Sequence, residues 1–73
     1  MKYDIGDIIR IRDRKEYPEK YRNKVGIILE IEPQLKTYKI LICGDTSAMP
    51  GLGIWFIEPI IADILYKANT PSP

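Results

Sequence analysis

The stretch Val25-Gly26-Ile27-Ile28-Leu29-Glu30-Ile31-Glu32 is the longest clean strand signal in the chain. It is rich in β-branched residues, whose stiff χ1 suits a pleated surface, and Asn23-Lys24 and Pro33 bound it. A period of two assigns Val25, Ile27, Leu29 and Ile31 to a core-facing side. Ile28, Glu30 and Glu32, with the side-chain-free Gly26, fall on a side mainly for water. Four inward apolar residues need a covered or closed sheet. Neighbouring strands are therefore expected to wrap around this one as a small barrel.

Ahead of it, Gly6-Asp7 reads as a turn into a first strand over residues 7–12. Ile9 and Ile11 point one way there, and Ile8, Arg10 and Arg12 the other. Behind it, Pro33-Gln34-Leu35-Lys36 is a hairpin turn, and Tyr38, Ile40 and Ile42 share one face of a strand over residues 37–42. A short apolar strand covers residues 54–57, with Trp55 and Ile57 opposite to Ile54 and Phe56. Glu58-Pro59 breaks it, and residues 60–65 form a last strand or a single helical turn. The expectation is an all-β, five-stranded barrel over residues 1–66 and a flexible tail over 67–73.

Two connections are longer than a hairpin needs. Residues 13–24 pack charges around Tyr17-Pro18 and Tyr21 with no period, and Pro18 argues against a continuous helix. Long loops in compact domains are more often functional than merely connecting. Residues 43–53 hold Gly44-Asp45-Thr46-Ser47 and Pro50-Gly51-Leu52-Gly53, which is turn chemistry. Their glycines do not follow phosphate-loop spacing, and one carboxylate is too few for a calcium loop.

At 73 residues the chain is one domain, and one this small buries only about 60% of its unfolded surface. The net charge of +1 hides an asymmetry, since residues 1–24 carry eight Lys and Arg against five Asp and Glu. That falls well short of a dedicated nucleic-acid binder. With one cysteine, Cys43, and no histidine, neither an internal disulfide nor a His/Cys zinc site forms within the chain. Cys43 also lacks a histidine to activate it, so it is read as a small, buried or half-buried apolar residue. No carboxylate pair reads as acid and base. The expectation is a protein with no enzymatic activity and no cofactor. No apolar run is long enough for a membrane span, and no signal-peptide core is seen, which points to the cytoplasm.

The order Gly6-Asp7-Ile8-Ile9-Arg10-Ile11, then Lys24-Val25-Gly26-Ile27-Ile28-Leu29-Glu30-Ile31, then Ile54-Trp55-Phe56-Ile57-Glu58-Pro59-Ile60 resembles SH3-like barrels of the KOW and translation-protein type. It also looks like small uncharacterised proteins of tailed bacteriophages. The Arg-Lys-Glu-Tyr…Tyr-Arg-Asn-Lys-Val-Gly run (residues 14–26) is similar to the small barrel of photosystem I that docks soluble electron carriers. The later segments depart from that barrel, and its role is not carried over. The KOW resemblance implies RNA or polymerase contacts, and the phage resemblance implies a virion component or host protein as partner. Eukaryotic SH3 signalling domains match less well, because their proline-peptide opening has no counterpart here.

Candidate contact residues follow from type and placement. Arg10, Arg12 and Arg14 recur at every second position, which suits either phosphate contact or a solvated face that blocks edge pairing. Tyr17, Tyr21 and Trp55, with Arg22 nearby, are residue types common at protein interface hot spots. They serve equally well to pack the loop and cap the barrel end. The leading expectation is a small module docking onto another protein through this aromatic-basic surface. The alternatives are a KOW-type RNA- or DNA-binding module and a structural component of a homo-oligomer.

Overall fold

Five short segments form strands, all paired antiparallel, with inward and outward side chains alternating in the first four. A computed structural model describes residues 2–43 and 53–68. The strands are β1 (Ile8–Ile11), β2 (Val25–Glu32), β3 (Thr37–Ile42), β4 (Ile54–Ile57) and β5 (Ile61–Tyr66). Their order in the sheet is β4-β3-β2-β1-β5. Short 3₁₀ turns occupy Glu19–Tyr21 and Glu58–Ile60. The ambiguous run after Glu58-Pro59 is thus both a turn and a strand. This strand order, with a 3₁₀ turn between β4 and β5, is compatible with an SH3-like fold. Most of the expected second loop, including Asp45, Thr46 and Ser47, lies outside the described residues, as do residues 69–73.

The core is a set of cross-strand rows. Ile9 lies opposite Gly26, and Gly26 opposite Ile42; Ile28 opposes Ile40, which opposes Ile54; Ile31 opposes Tyr38, which opposes Phe56; Ile11 opposes Ile61. Ile9, Ile11, Ile28, Tyr38, Ile40 and Ile61 are fully buried or nearly so. Each such isoleucine contributes about 1.5–3 kcal/mol of hydrophobic stabilisation.

The inward face of β2 corrects the expected alternation. Gly26 and Ile28 face the core, while Val25, Ile27 and Leu29 are only partly buried. The reason is a bulge: β3 pairs Ile40 with Ile28 and the next residue, Lys39, with Glu30, so Leu29 is an extra residue that resets the phase. Of the four residues expected inside, Ile31 alone packs against the core, and it lies beyond the bulge. At Gly26 the neighbouring strand β3 leaves no room for a side chain. A Cβ there would sit 2.5 Å from Ile40 Cγ2 and 3.0 Å from the Leu41 carbonyl oxygen.

The edge strands differ. β4 pairs with β3 in unbroken register from Thr37–Ile57 to Ile40–Ile54. β5 shifts register twice against β1, skipping Ala62 and Leu65. Ile64, Leu65 and Tyr66 are exposed on it in succession.

The loop over residues 13–24 is held at both ends and in the middle. The N–H of Ile11 donates to the Lys24 carbonyl and that of Asn23 donates to the Ile11 carbonyl. Within it, Arg22 donates from Nε to the Tyr17 carbonyl and from Nη2 to the Lys15 carbonyl, at 2.9 and 3.0 Å.

Candidate functional site

β4 presents its side chains to two different environments. Phe56 turns inward, whereas Trp55 and Ile57 turn outward and are 48% and 56% exposed. Residues two apart on a strand share a face about 6–7 Å from each other, so Trp55 and Ile57 form one apolar surface. Leu35, in the turn between β2 and β3, is 72% exposed. Glu58 is tied to that turn by its N–H, which donates to the Lys36 carbonyl at 3.2 Å.

Ile57 and Leu35 border a groove of about 550 Å³, completed by Lys2, Tyr3, Arg12, Lys36, Glu58, Pro59 and Ile61. That volume is typical of ligand clefts, about 300–1,000 Å³. A second hollow of about 390 Å³ adjoins it, sharing Arg12 and Pro59 and adding Arg14, Glu16 and Tyr17. The charged lining of the larger groove is three cations, Lys2, Arg12 and Lys36, against Glu58. Behind it, the buried Tyr38 ring meets Tyr3 edge to face at 5.4 Å between centroids. Burial, followed by the nearby Glu58 charge, raises the Tyr38 hydroxyl above its ordinary pKa. That hydroxyl has no hydrogen-bond partner among the described residues.

The residues singled out in the sequence do not gather into one surface. Tyr21 packs edge to face on Phe56 at 5.3 Å, on the inward side of β4 and so opposite Trp55. Tyr17 also packs against the core. Arg10 donates from Nε to Asp63 Oδ2 at 3.0 Å and from Nη1 to Asn23 Oδ1 at 2.7 Å, and it is ion-paired with Asp63. Arg12 donates from Nε to the Pro59 carbonyl and from Nη2 to the Ile61 carbonyl, both at 3.0 Å. Arg22 braces the loop from inside, and Arg14 is exposed, 3.8 Å from Glu16. Of the seven, Trp55 stays on open surface, Arg12 lines both hollows, and Arg14 and Tyr17 line the smaller one.

Cys43 is exposed rather than buried, because the strand alternation that turns Ile42 inward turns the following residue out. Sequence reasoning missed Leu35, Ile57, Lys2 and Lys36 as surface-forming residues. The outward phase of Ile57 was legible from alternation, but its proximity to Leu35 comes from the hydrogen bond that seats Glu58 on the turn.

Asp7 was also missed. It is fully buried, and its Oδ2 accepts from the Asp4 N–H at 2.9 Å and from Lys67 Nζ at 2.8 Å, while Oδ1 accepts from the Ala68 N–H at 2.9 Å. Burial by itself pushes this carboxyl up. Hydrogen bonds from Lys67 and from the Asp4 and Ala68 backbones, with the Lys67 charge, outweigh it and hold the pKa below its ordinary value. Hydrogen bonds to Asp4 and Asp7 raise Lys67 in turn.

Among the described residues no cluster of three or more His, Cys, Asp or Glu is placed to hold a metal ion. No helix there is long and apolar enough to cross a membrane. The chain matches no family model, and neither the curated proteins nor the solved structures yield a match to it.

Proposed function

We propose that this chain is a small non-enzymatic module that docks onto another protein through the outward face of β4 and the groove beside it. The supporting observation is the exposure of Trp55 and Ile57 on the same outward face, with the exposed Leu35 lining the groove that Ile57 borders. A large aromatic and two aliphatic side chains held on a rigid sheet and its turn, rimmed by cations, have the composition of an interface centre. The partners expected from the phage resemblance are a virion component or a host protein. The test compares partners captured by the wild type with those captured by Trp55→Ala and Ile57→Ser variants whose thermal melts show them folded. Loss of the same partner from both variants supports the reading, and retention of every partner overturns it.

A nucleic-acid role of the KOW type is less favoured. Arg10 spends three N–H groups, and Arg12 and Arg22 two each, on acceptors within the chain, and Arg10 also has its charge neutralised by Asp63. Such a role predicts RNA or DNA affinity that falls steeply with salt, so unshifted electrophoretic mobility at low salt disposes of it. Self-association is favoured by the exposed Ile64, Leu65 and Tyr66 and opposed by the two register shifts, which bend the β5 edge away from regular pairing. A monomer in sedimentation at micromolar concentration argues against it.

A further inference from the structure

We infer that the groove between the turn after β2 and the Glu58–Ile60 turn takes an acidic segment of a partner protein, with a carboxylate on Arg12 and an aliphatic side chain between Leu35 and Ile57. This rests on the docking reading above and gives that partner its chemistry.

The charge balance is the first ground. Lys2, Arg12 and Lys36 line the groove with Glu58 as the opposing charge, and none of the three cations is ion-paired among the described residues. Elsewhere among the described residues Arg10, Arg14, Lys39 and Lys67 are ion-paired, while Lys15, Lys20, Arg22 and Lys24 are not. The distinction of the groove is that three such cations line one hollow against a single carboxylate.

The second ground is the state of Arg12. Its Nε and Nη2 are fixed on the Pro59 and Ile61 carbonyls, so the guanidinium is already held in place at the groove. Carbonyl oxygens satisfy the donors without neutralising the charge, and Nη1 meets no acceptor among the described residues. A carboxylate arriving there forms a charge-assisted hydrogen bond with little rotamer entropy left to lose.

The apolar part of the lining decides between an acidic peptide and a simple anion. Leu35, Ile57 and Pro59 are aliphatic, and Leu35 and Ile57 are more than half exposed. Phosphate would leave that surface in water. An aliphatic residue beside an acidic one covers it and places the carboxylate on the cations.

The experiment is an NMR titration of the intact chain with blocked pentapeptides alternating Glu or Asp with Leu or Ile. Counterparts carrying Gln and Asn are run beside them, along with inorganic phosphate. The expected result is saturable amide shifts at Leu35, Lys36, Ile57 and Glu58, with the neutral peptides binding about tenfold more weakly. A folded Lys2→Gln/Lys36→Gln double variant is expected to lose affinity for the acidic set while leaving Arg12 and its carbonyl bonds in place. Equal binding of neutral peptides, shifts confined to another face, or phosphate binding as tightly as the peptides overturns the inference. Trp55-dependent capture of a partner without acidic-peptide binding sinks this inference and leaves the docking reading standing. Failure of both sinks both.

Discussion

Lys67, one residue past the end of β5, places its ammonium 2.8 Å from the carboxylate of Asp7, one residue before the start of β1. Sixty positions of sequence separate them. Together with the Ala68 N–H on the other oxygen, this joins the two ends of the fold at a fully buried acid.

The folded Asp7 carboxyl is more acidic than the unfolded one, whose ordinary value is 3.8. Its stabilisation is therefore fully present above that value and lost as pH falls through the folded pKa. Asp7→Asn is expected to lower stability at pH 7 by about 2 kcal/mol, the scale of leaving buried hydrogen-bonding groups unmet. It is also expected to flatten the acid limb of urea midpoints measured from pH 6 to pH 2. An unchanged acid limb refutes the assignment.

Gly26→Ala pushes a methyl group to within 2.5 Å of Ile40 Cγ2 and 3.0 Å of the Leu41 backbone oxygen. The Ile40 branch methyl, stiff at χ1 and fully buried, and the backbone oxygen both resist, so a loss of about 2 kcal/mol or more is expected in denaturant unfolding. If Ala changes stability by less than about 0.5 kcal/mol, β2 and β3 do not approach this closely.

Tyr38→Phe removes a buried hydroxyl that has no partner among the described residues and leaves the ring on Tyr3 intact. Deleting an unsatisfied polar group is expected to be neutral or to stabilise by up to about 1 kcal/mol. A fall in Tm reveals a hydrogen bond to that hydroxyl.

Arg10 and Arg12 belong to the same first-strand arginine row and differ in consequence. Arg10 makes an exposed pair with Asp63, so Arg10→Ala is expected to cost about 0.5 kcal/mol, and less at high salt. Arg12→Ala leaves two carbonyls at the Glu58–Ile60 turn without their donor and is expected to cost about 1–2 kcal/mol with little salt dependence. Salt-dependent unfolding midpoints for the two variants separate the cases, and equal losses contradict them.

The sequence by itself determined the all-β class, the five strands and which side chains of β1, β3 and β4 share a face. A period of two in Ile9/Ile11, Tyr38/Ile40/Ile42 and Ile54/Phe56 leaves few other ways to bury them. Tertiary structure decided the phase of β2, because a bulge at Leu29 is set by pairing with β3 and leaves no mark in residue type. It also decided the candidate surface. Arginines that read as free cations from spacing find acceptors up to 53 positions away, and tyrosines that read as exposed find Phe56 and the core. Hydrogen bonds and packing between distant segments carry no local period. The surface left open, Trp55, Ile57, Leu35 and the cations beside them, is defined by what the fold did not use.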